Sequence, residues 1–363
     1  MKPLMRVCAL AGLGALAGLA APAQAVTYDC APLSVGGSMP SASSSAINNK
    51  NQVAGSSTFQ GTRRGEATLW KSPRKAINLG GALTMAYSSN AHGLNDRGQI
   101  VGEVRFDCNG LCGFPRPVSW QDGVPTELPL LDGQLMGRAY SVNHKGRIVG
   151  YGLSDRSVYH AVLWRDGQVI DLGTLGDKAK QAQTNSLALY VGADDIVVGT
   201  SGTGPGAFWS NAVRWDARGH ITDLGVLPGG YGSTAWAVNR AGTIVGTNFV
   251  SDSYDRRAVA WQNGQIIELA PFTSGANSTA FAISDSGTIV GGESLGANTA
   301  ALLWPGVNEP PVALKPLVAN ACLNGSDDDY SLDVAQGINA SGAIVVNGWQ
   351  QSVGSTAFLL TPR

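Results

Sequence analysis

One segment recurs through the chain and limits what it can fold into. Ala139 to Gly150 reads as a strand, a tight turn at Asn143-His144-Lys145-Gly146, and a second strand ending Ile148-Val149-Gly150. The turn-opening position returns at 48, 95, 143, 192, 239, 284 and 339, in steps of 47, 48, 49, 47, 45 and 55 residues. A period of this size marks a repeat architecture, in which each unit buries its apolar face against its neighbours.

Each unit contains four short apolar-alternating segments. The first two flank the Asn-x-x-Gly turn. The third ends at a tryptophan, at 70, 120, 164, 215, 261 and 304, with Leu360 in its place in the seventh unit. The fourth follows seven to nine residues later, as at Asp171-Leu172 and Glu268-Leu269. Asn at the first turn position and Gly at the fourth favour a type I turn closed by a left-handed residue. Asp122-Gly123, Asp166-Gly167 and Asn263-Gly264 are two-residue hairpin signals between the third and fourth segments. Forty-eight glycines and a charged fraction of 14% suit short strands and tight turns. The pattern predicts an all-β, seven-bladed β-propeller of four-stranded antiparallel blades. An open solenoid is the rival use of the same repeats.

The chain stops after the third segment of unit seven. Residues 26–33 align with a fourth segment, so the N-terminal strand is expected to complete the last blade and close the ring. Closure removes two unpaired strand edges.

Residues 1–25 read as a signal peptide, with Lys2 and Arg6, an apolar run from Val7 to Ala20, and Ala23-Gln24-Ala25 as the cleavage site. The run is too short for an ordinary membrane span, and none comparable follows. The protein is therefore expected in the periplasm or outside the cell, as one repeat domain over 26–363. That domain carries 23 bases against 26 acids, a net −3, which argues against a nucleic-acid partner. Its four cysteines, Cys30, Cys108, Cys112 and Cys322, allow three disulfide pairings. A Cys30–Cys322 bond would pin the ring closure and leave Cys108 with Cys112.

His160-Ala161-Val162-Leu163-Trp164, followed by Asp171-Leu172-Gly173-Thr174-Leu175-Gly176, resembles the HAF-type extracellular repeat family of bacteria. Asn95 to Gly102 and Asp223 to Gly230 are further matching pieces, and the resemblance covers nearly all of 26–363. Only unit three has the histidine of the family's name, and the phenylalanine appears at Phe358. The resemblance implies an exported repeat protein and supplies no catalytic residue.

Local catalytic signatures such as Gly-x-Ser-x-Gly or HExxH are missing, and the four histidines fall at four different repeat positions. The recurrent tryptophans read as core. The position at 45, 92, 140, 189, 236, 281 and 336 varies as Ser, His, Tyr, Leu, Trp, Phe and Gln. It reads as filler between blades, because it shares strand parity with the apolar residue two positions on. A channel lining is the rival reading. Asn324 to Asp329 is rich in oxygen ligands, so Ca²⁺ near Asp327, Asp328 and Asp329 is weighed against a solvated loop.

The connections after the second and fourth segments share one end of the ring and are long and varied. Function concentrates on such loops. The candidate binding residues there are Arg64, Arg105, Phe106, Tyr159, Trp209, Tyr231, Phe249, Tyr254, Arg256 and Trp349, with Arg63 and Phe272 on the same face. Aromatics with arginines suit sugar stacking or protein contact. The function expected is non-catalytic recognition of a glycan or an envelope or extracellular protein. The alternatives are a polysaccharide hydrolase or lyase and a purely architectural repeat.

Overall fold

A computed structural model describes residues 26–35, 41–59, 64–82, 86–108, 111–131, 134–154, 158–175, 184–204, 209–250, 255–319, 322, 330–351 and 353–363. The side chains of 82, 107, 108, 111 and 112 are outside this description. Seven antiparallel sheets form a closed β-propeller, each with four strands in the main path. Blades 1 to 6 span 42–78, 86–127, 137–173, 186–225, 232–268 and 277–313, each a meander from the channel outward. Blade 3 is typical: Gly137–Val142 is innermost, followed by Ile148–Leu153, Tyr159–Arg165 and Gln168–Gly173. Blade 2 adds a two-residue strand, Leu111–Cys112, paired with its second strand.

Blade 7 joins both ends of the chain. Tyr330–Ile338, Ile344–Gln350 and Gly354–Pro362 come from the C-terminus, and Tyr28–Pro32 completes the sheet. The register runs from Tyr28 opposite Pro362 to Pro32 opposite Phe358. A Cys30–Cys322 disulfide ties this strand to the connection entering blade 7, across 292 residues of sequence. The bond suits an oxidising compartment. No helix among the described residues is long and apolar enough to cross a membrane. Residues 1–25, the Cys108 and Cys112 side chains, and Asp327, Asp328 and Asp329 lie outside the described residues.

The turn chemistry follows the sequence. Asp122-Gly123, Asp166-Gly167 and Asn263-Gly264 all have positive φ at both positions, as a type I′ hairpin requires. The Asn of the inner turn does two jobs. Asn143 Oδ1 accepts hydrogen bonds from the backbone N–H of Lys145 and Arg147, at 3.0 and 3.1 Å. Asn143 Nδ2 donates to the Gly192 carbonyl of the next blade at 3.0 Å. Asn339 bridges to Asn48, Asn48 to Asn95, Asn95 to Asn143, and Asn239 to Ser284 in the same way.

Two more side chains cross the seams. Buried Ser89, Ser186, Ser233 and Ser278 accept the N–H of Ala67, Ala161, Ala212 and Ala258 on the preceding blade. The repeat tryptophans are core, as expected, with Trp70, Trp120, Trp215 and Trp304 fully buried. Four of the six indoles also reach back a blade: Trp70 donates to Ser34, Trp164 to Pro129, Trp215 to Leu172 and Trp304 to Ala270, at 2.7–3.1 Å.

Every innermost strand carries a β-bulge at one repeat position. The register breaks between Ser44 and Ala46, Ala91 and Gly93, Ala139 and Ser141, Ala188 and Tyr190, Ala235 and Ala237, Ala280 and Ala282, and Ala335 and Gly337. The bulge explains the glycine ending the Val-Gly motif. A Cβ on Gly150 would lie 1.8 Å from the Arg138 carbonyl, and Gly55, Gly102, Gly199, Gly246 and Gly291 face the same obstruction at 1.9–2.0 Å. Replacing Gly150 with Ala is therefore expected to cost about 1–3 kcal/mol, the usual range for overpacking. Gly65→Ala, whose Cβ meets nothing within 4 Å, serves as the near-neutral control in urea unfolding.

Closing a loop of 292 residues places the disulfide at the upper end of its usual effect. Cys30→Ala/Cys322→Ala is expected to lose about 2–5 kcal/mol of unfolding free energy. A change under about 1 kcal/mol in denaturant titrations would show that strand pairing alone holds the ring.

Candidate functional site

The seven bulged residues, Ser45, His92, Tyr140, Leu189, Trp236, Phe281 and Gln336, all line one cavity on the propeller axis, with a volume of about 630 Å³. The expectation that they fill gaps between blades is thus corrected. The parity argument assumed a regular strand, but the extra residue of a bulge is unpaired and re-aimed. Ala139 pairs with Gly150 and Ser141 with Val149, so Tyr140 drops out of the ladder and turns to the channel.

The ring has two arcs. Leu189, Trp236 and Phe281, on blades 4 to 6, form an apolar arc with Tyr190 beside it. Trp236 and Phe281 pack with centroids 5.5 Å apart, and Trp236 Nε1 donates to Thr247 Oγ1 at 3.1 Å, which fixes the indole. Gln336, Ser45, His92 and Tyr140, on blades 7, 1, 2 and 3, form a polar arc.

Behind the polar arc, at the seam of blades 2 and 3, lies a buried carboxylate. Glu103 is 2% exposed. Its Oε1 is 3.5 Å from Arg105 Nε and accepts a 3.4 Å hydrogen bond from Asn90 Nδ2. Its Oε2 faces Arg138 Nε and lies 3.8 Å from His92 Nε2. Burial alone would raise its pKa, but the His92 contact and the charges of Arg138, His92 and Arg105 hold it below the ordinary carboxylate value. The Arg138 guanidinium lies 5.9 Å from the ring centroids of both Tyr140 and Tyr151. Burial pushes the Tyr151 phenol up to about 12, so it stays protonated at neutral pH. Tyr151 packs edge-on against Tyr159 at 5.0 Å. Arg138 precedes Tyr140 on a strand that runs from the long connections toward the inner turn, so this cluster sits toward the long-loop end of the channel.

The expected binding residues occupy the long-loop ends of the blades but are not gathered into one site. Trp209, Tyr231 and Phe249 meet across blades 4 and 5, with Trp209 6.0 Å from Tyr231 and 5.3 Å from Phe249. Tyr159 and Arg105 join the seam cluster described above. Phe106 is half-buried and packs on the core of blades 1 and 2. Arg64 lies 3.4 Å over the Tyr87 ring. Arg256 pairs in register with Phe249, and Trp349 and Phe272 are exposed on other blades. Tyr254 and Arg63 lie outside the described residues. Among the histidines, His160 Nδ1 bonds Asp171 at 2.7 Å and His220 Nδ1 bonds Asp216 at 3.0 Å, both structural roles, whereas His92 faces the channel.

Reading motif by motif passed over Glu103 and Arg138, yet each departs from its repeat position. The residue after the motif glycine is Ser56, Tyr151, Thr200, Thr247 and Gly292 in other units, and only unit two places a charge there. Arg138 likewise stands where other units have Ser43, Asn90, Leu187, Thr234, Thr279 and Val334.

The chain is similar in fold to the β-propeller domain of the Trilobed protease from Pyrococcus furiosus, described as having an open velcro topology. The TM-score is 0.55 at 10% identity, over 89% of this chain and 97% of that one. At that identity the likeness extends to the fold alone. TolB from Acinetobacter baumannii matches at a TM-score of 0.42 and 11% identity, over 86% of this chain and 63% of that one, and carries no argument. No protein-family model matches the sequence, and no curated protein matches it.

Glu103 makes a pH prediction. A carboxyl with a lowered folded-state pKa contributes stability above its unfolded value, about 4.3, and that stability is lost as pH falls through the folded value. Glu103→Gln is expected to cost about 2 kcal/mol at pH 7. This is less than the ~3–5 of a fully buried pair, because the Arg105 and Arg138 side chains keep 34% and 24% of their exposure. In urea unfolding the gap between variant and wild type should narrow as pH falls below the ordinary carboxylate range. A gap independent of pH would show that packing, not charge, is lost.

Proposed function

We propose that the protein is an exported binding propeller that takes a carbohydrate into its channel from the long-loop end. The observation that carries this reading is the two-arc ring around a cavity of about 630 Å³. A pyranose has an apolar C–H face and a rim of hydroxyls. The Trp236–Phe281 arc offers flat apolar area for the face, and Gln336, Ser45, His92 and Tyr140 offer donors and acceptors for the rim. The Trp209–Phe249–Tyr231 cluster extends the aromatic surface outside the channel, where a longer glycan chain would run.

Binding is favoured over turnover by the state of Glu103. Glycoside hydrolysis uses a pair of carboxyl groups, one of them protonated to assist the leaving group. Glu103, held as the anion between guanidiniums, is not in the state of the leaving-group acid, and the described residues that line the cavity include no Asp or Glu to complete a pair. Export rests on the leader-like residues 1–25 and on the Cys30–Cys322 bond.

Titration calorimetry against an oligosaccharide panel tests the reading. Trp236→Ala and Phe281→Ala are each expected to weaken binding about tenfold or more, about 1.4 kcal/mol, with the fold intact by circular dichroism. Saccharide binding that neither variant alters would place the site elsewhere, and release of reducing ends on incubation would restore the hydrolase alternative.

A further inference from the structure

The seam behind the channel's polar arc carries more positive charge than its own carboxylate balances. Two guanidiniums, Arg105 and Arg138, share the single Glu103 carboxylate, and the His92 imidazole faces the same group. Both arginines approach Glu103 through Nε. A guanidinium has five N–H donors in a planar fork, so this approach leaves donors at the terminal nitrogens for further acceptors, the Tyr140 hydroxyl beside Arg138 among them. Glu103 is 3% exposed at its side chain while Arg105 and Arg138 are 34% and 24% exposed, so the anion is inside and the cations face outward.

The surroundings strengthen an attraction for an anion. Tyr140, Tyr151 and Tyr159 form a chain of rings at 5.9 and 5.0 Å beside Arg138, and Tyr140 also packs on His92 at 5.5 Å. This apolar wall screens the guanidiniums less than water would, so a charge-assisted bond there is strengthened. Tyr140 and His92 are at once channel-ring residues and neighbours of the charged group, so the cluster stands directly behind the channel's polar arc.

We infer that the ligand is an acidic carbohydrate, a glycan bearing uronate residues, whose carboxylate docks on Arg105 and Arg138 while its sugar rings stack on the Trp236–Phe281 arc. This rests on the carbohydrate reading above and narrows it. Glu103 is then a positioning residue: it holds the two guanidiniums side by side and touches no part of the ligand.

The test uses matched oligosaccharides, glucose and galactose tetramers against the glucuronate and galacturonate tetramers of the same linkage, titrated into the full secreted chain at low and high salt. In at least one pair the uronate is expected to bind tenfold or more tighter, with the preference shrinking as salt rises. Arg105→Gln leaves the Arg138–Glu103 pair in place, so it should fold, and it should remove most of the uronate preference. Arg138→Gln should do the same wherever its melting curve stays cooperative. Equal affinity within every pair, or a preference that survives Arg105→Gln, overturns the inference and leaves the carbohydrate reading standing. If no tetramer of either kind binds, the carbohydrate reading fails and takes this inference with it.

Discussion

A propeller has a channel only if its last blade meets its first. In this chain that meeting is made by one strand, Tyr28–Pro32, laid antiparallel on Gly354–Pro362 and tied to the preceding connection through Cys30 and Cys322. The inner strands of blades 7 and 1 are thereby held side by side, with Asn339 of one donating to the Asn48 carbonyl of the other. Without closure Gln336 and Ser45 would face solvent rather than each other's side of the cavity. The ring's polar seam bonds then act in series. The Asn, Ser and Trp contacts each satisfy a buried group on one blade with a partner on the next, so separating a seam leaves unpaired polar atoms on both sides.

The inner strand couples this scaffold to the site. A bulge at one repeat position pushes one residue out of the ladder in every blade, and in blades 1 to 6 a glycine opposite it gives the bent backbone room, where blade 7 has Val346. The bulged residue is the least constrained by the core, since it stands outside the ladder and lines the channel. That is why seven copies of one structural motif present seven different side chains to the channel. Scaffold and recognition share a strand but are divided by a single residue of register.

Much of this was legible in the sequence. The 48-residue period, the Asn-x-x-Gly and Asp-Gly turns and the recurrent tryptophans are local rules repeated seven times, and repetition turns weak signals into firm ones. The N-terminal strand as the missing segment of blade 7, and Cys30 with Cys322, followed from counting segments. The channel ring was not legible, because a bulge leaves no residue signature at the bulged position itself. Its trace is the glycine on the partner strand, which also fits a simple turn-and-strand motif. The seam cluster was obscured for another reason: Glu103 and Arg138 lie 35 residues apart in sequence, and only the packing of blade 2 on blade 3 brings them together.

The position of that cluster bears on whether it is a structural ornament. A lone ionised carboxylate buried to 2% exposure is costly, and two guanidiniums are a poor exchange for an apolar seam of the kind the other blades use. At the equivalent of Glu103 the neighbouring units have Ser56 and Tyr151, neither charged. Stability alone therefore gives no reason for blades 2 and 3 to differ. The difference lies where the seam meets the channel, beside two residues of the ring, and on the arc opposite the Trp236–Phe281 surface. A charged group that is expensive to bury, set at one of seven equivalent seams directly behind the polar arc of the channel, is what a ligand-orienting device requires: it breaks the near-sevenfold symmetry of the ring and gives an asymmetric ligand one preferred way to lie.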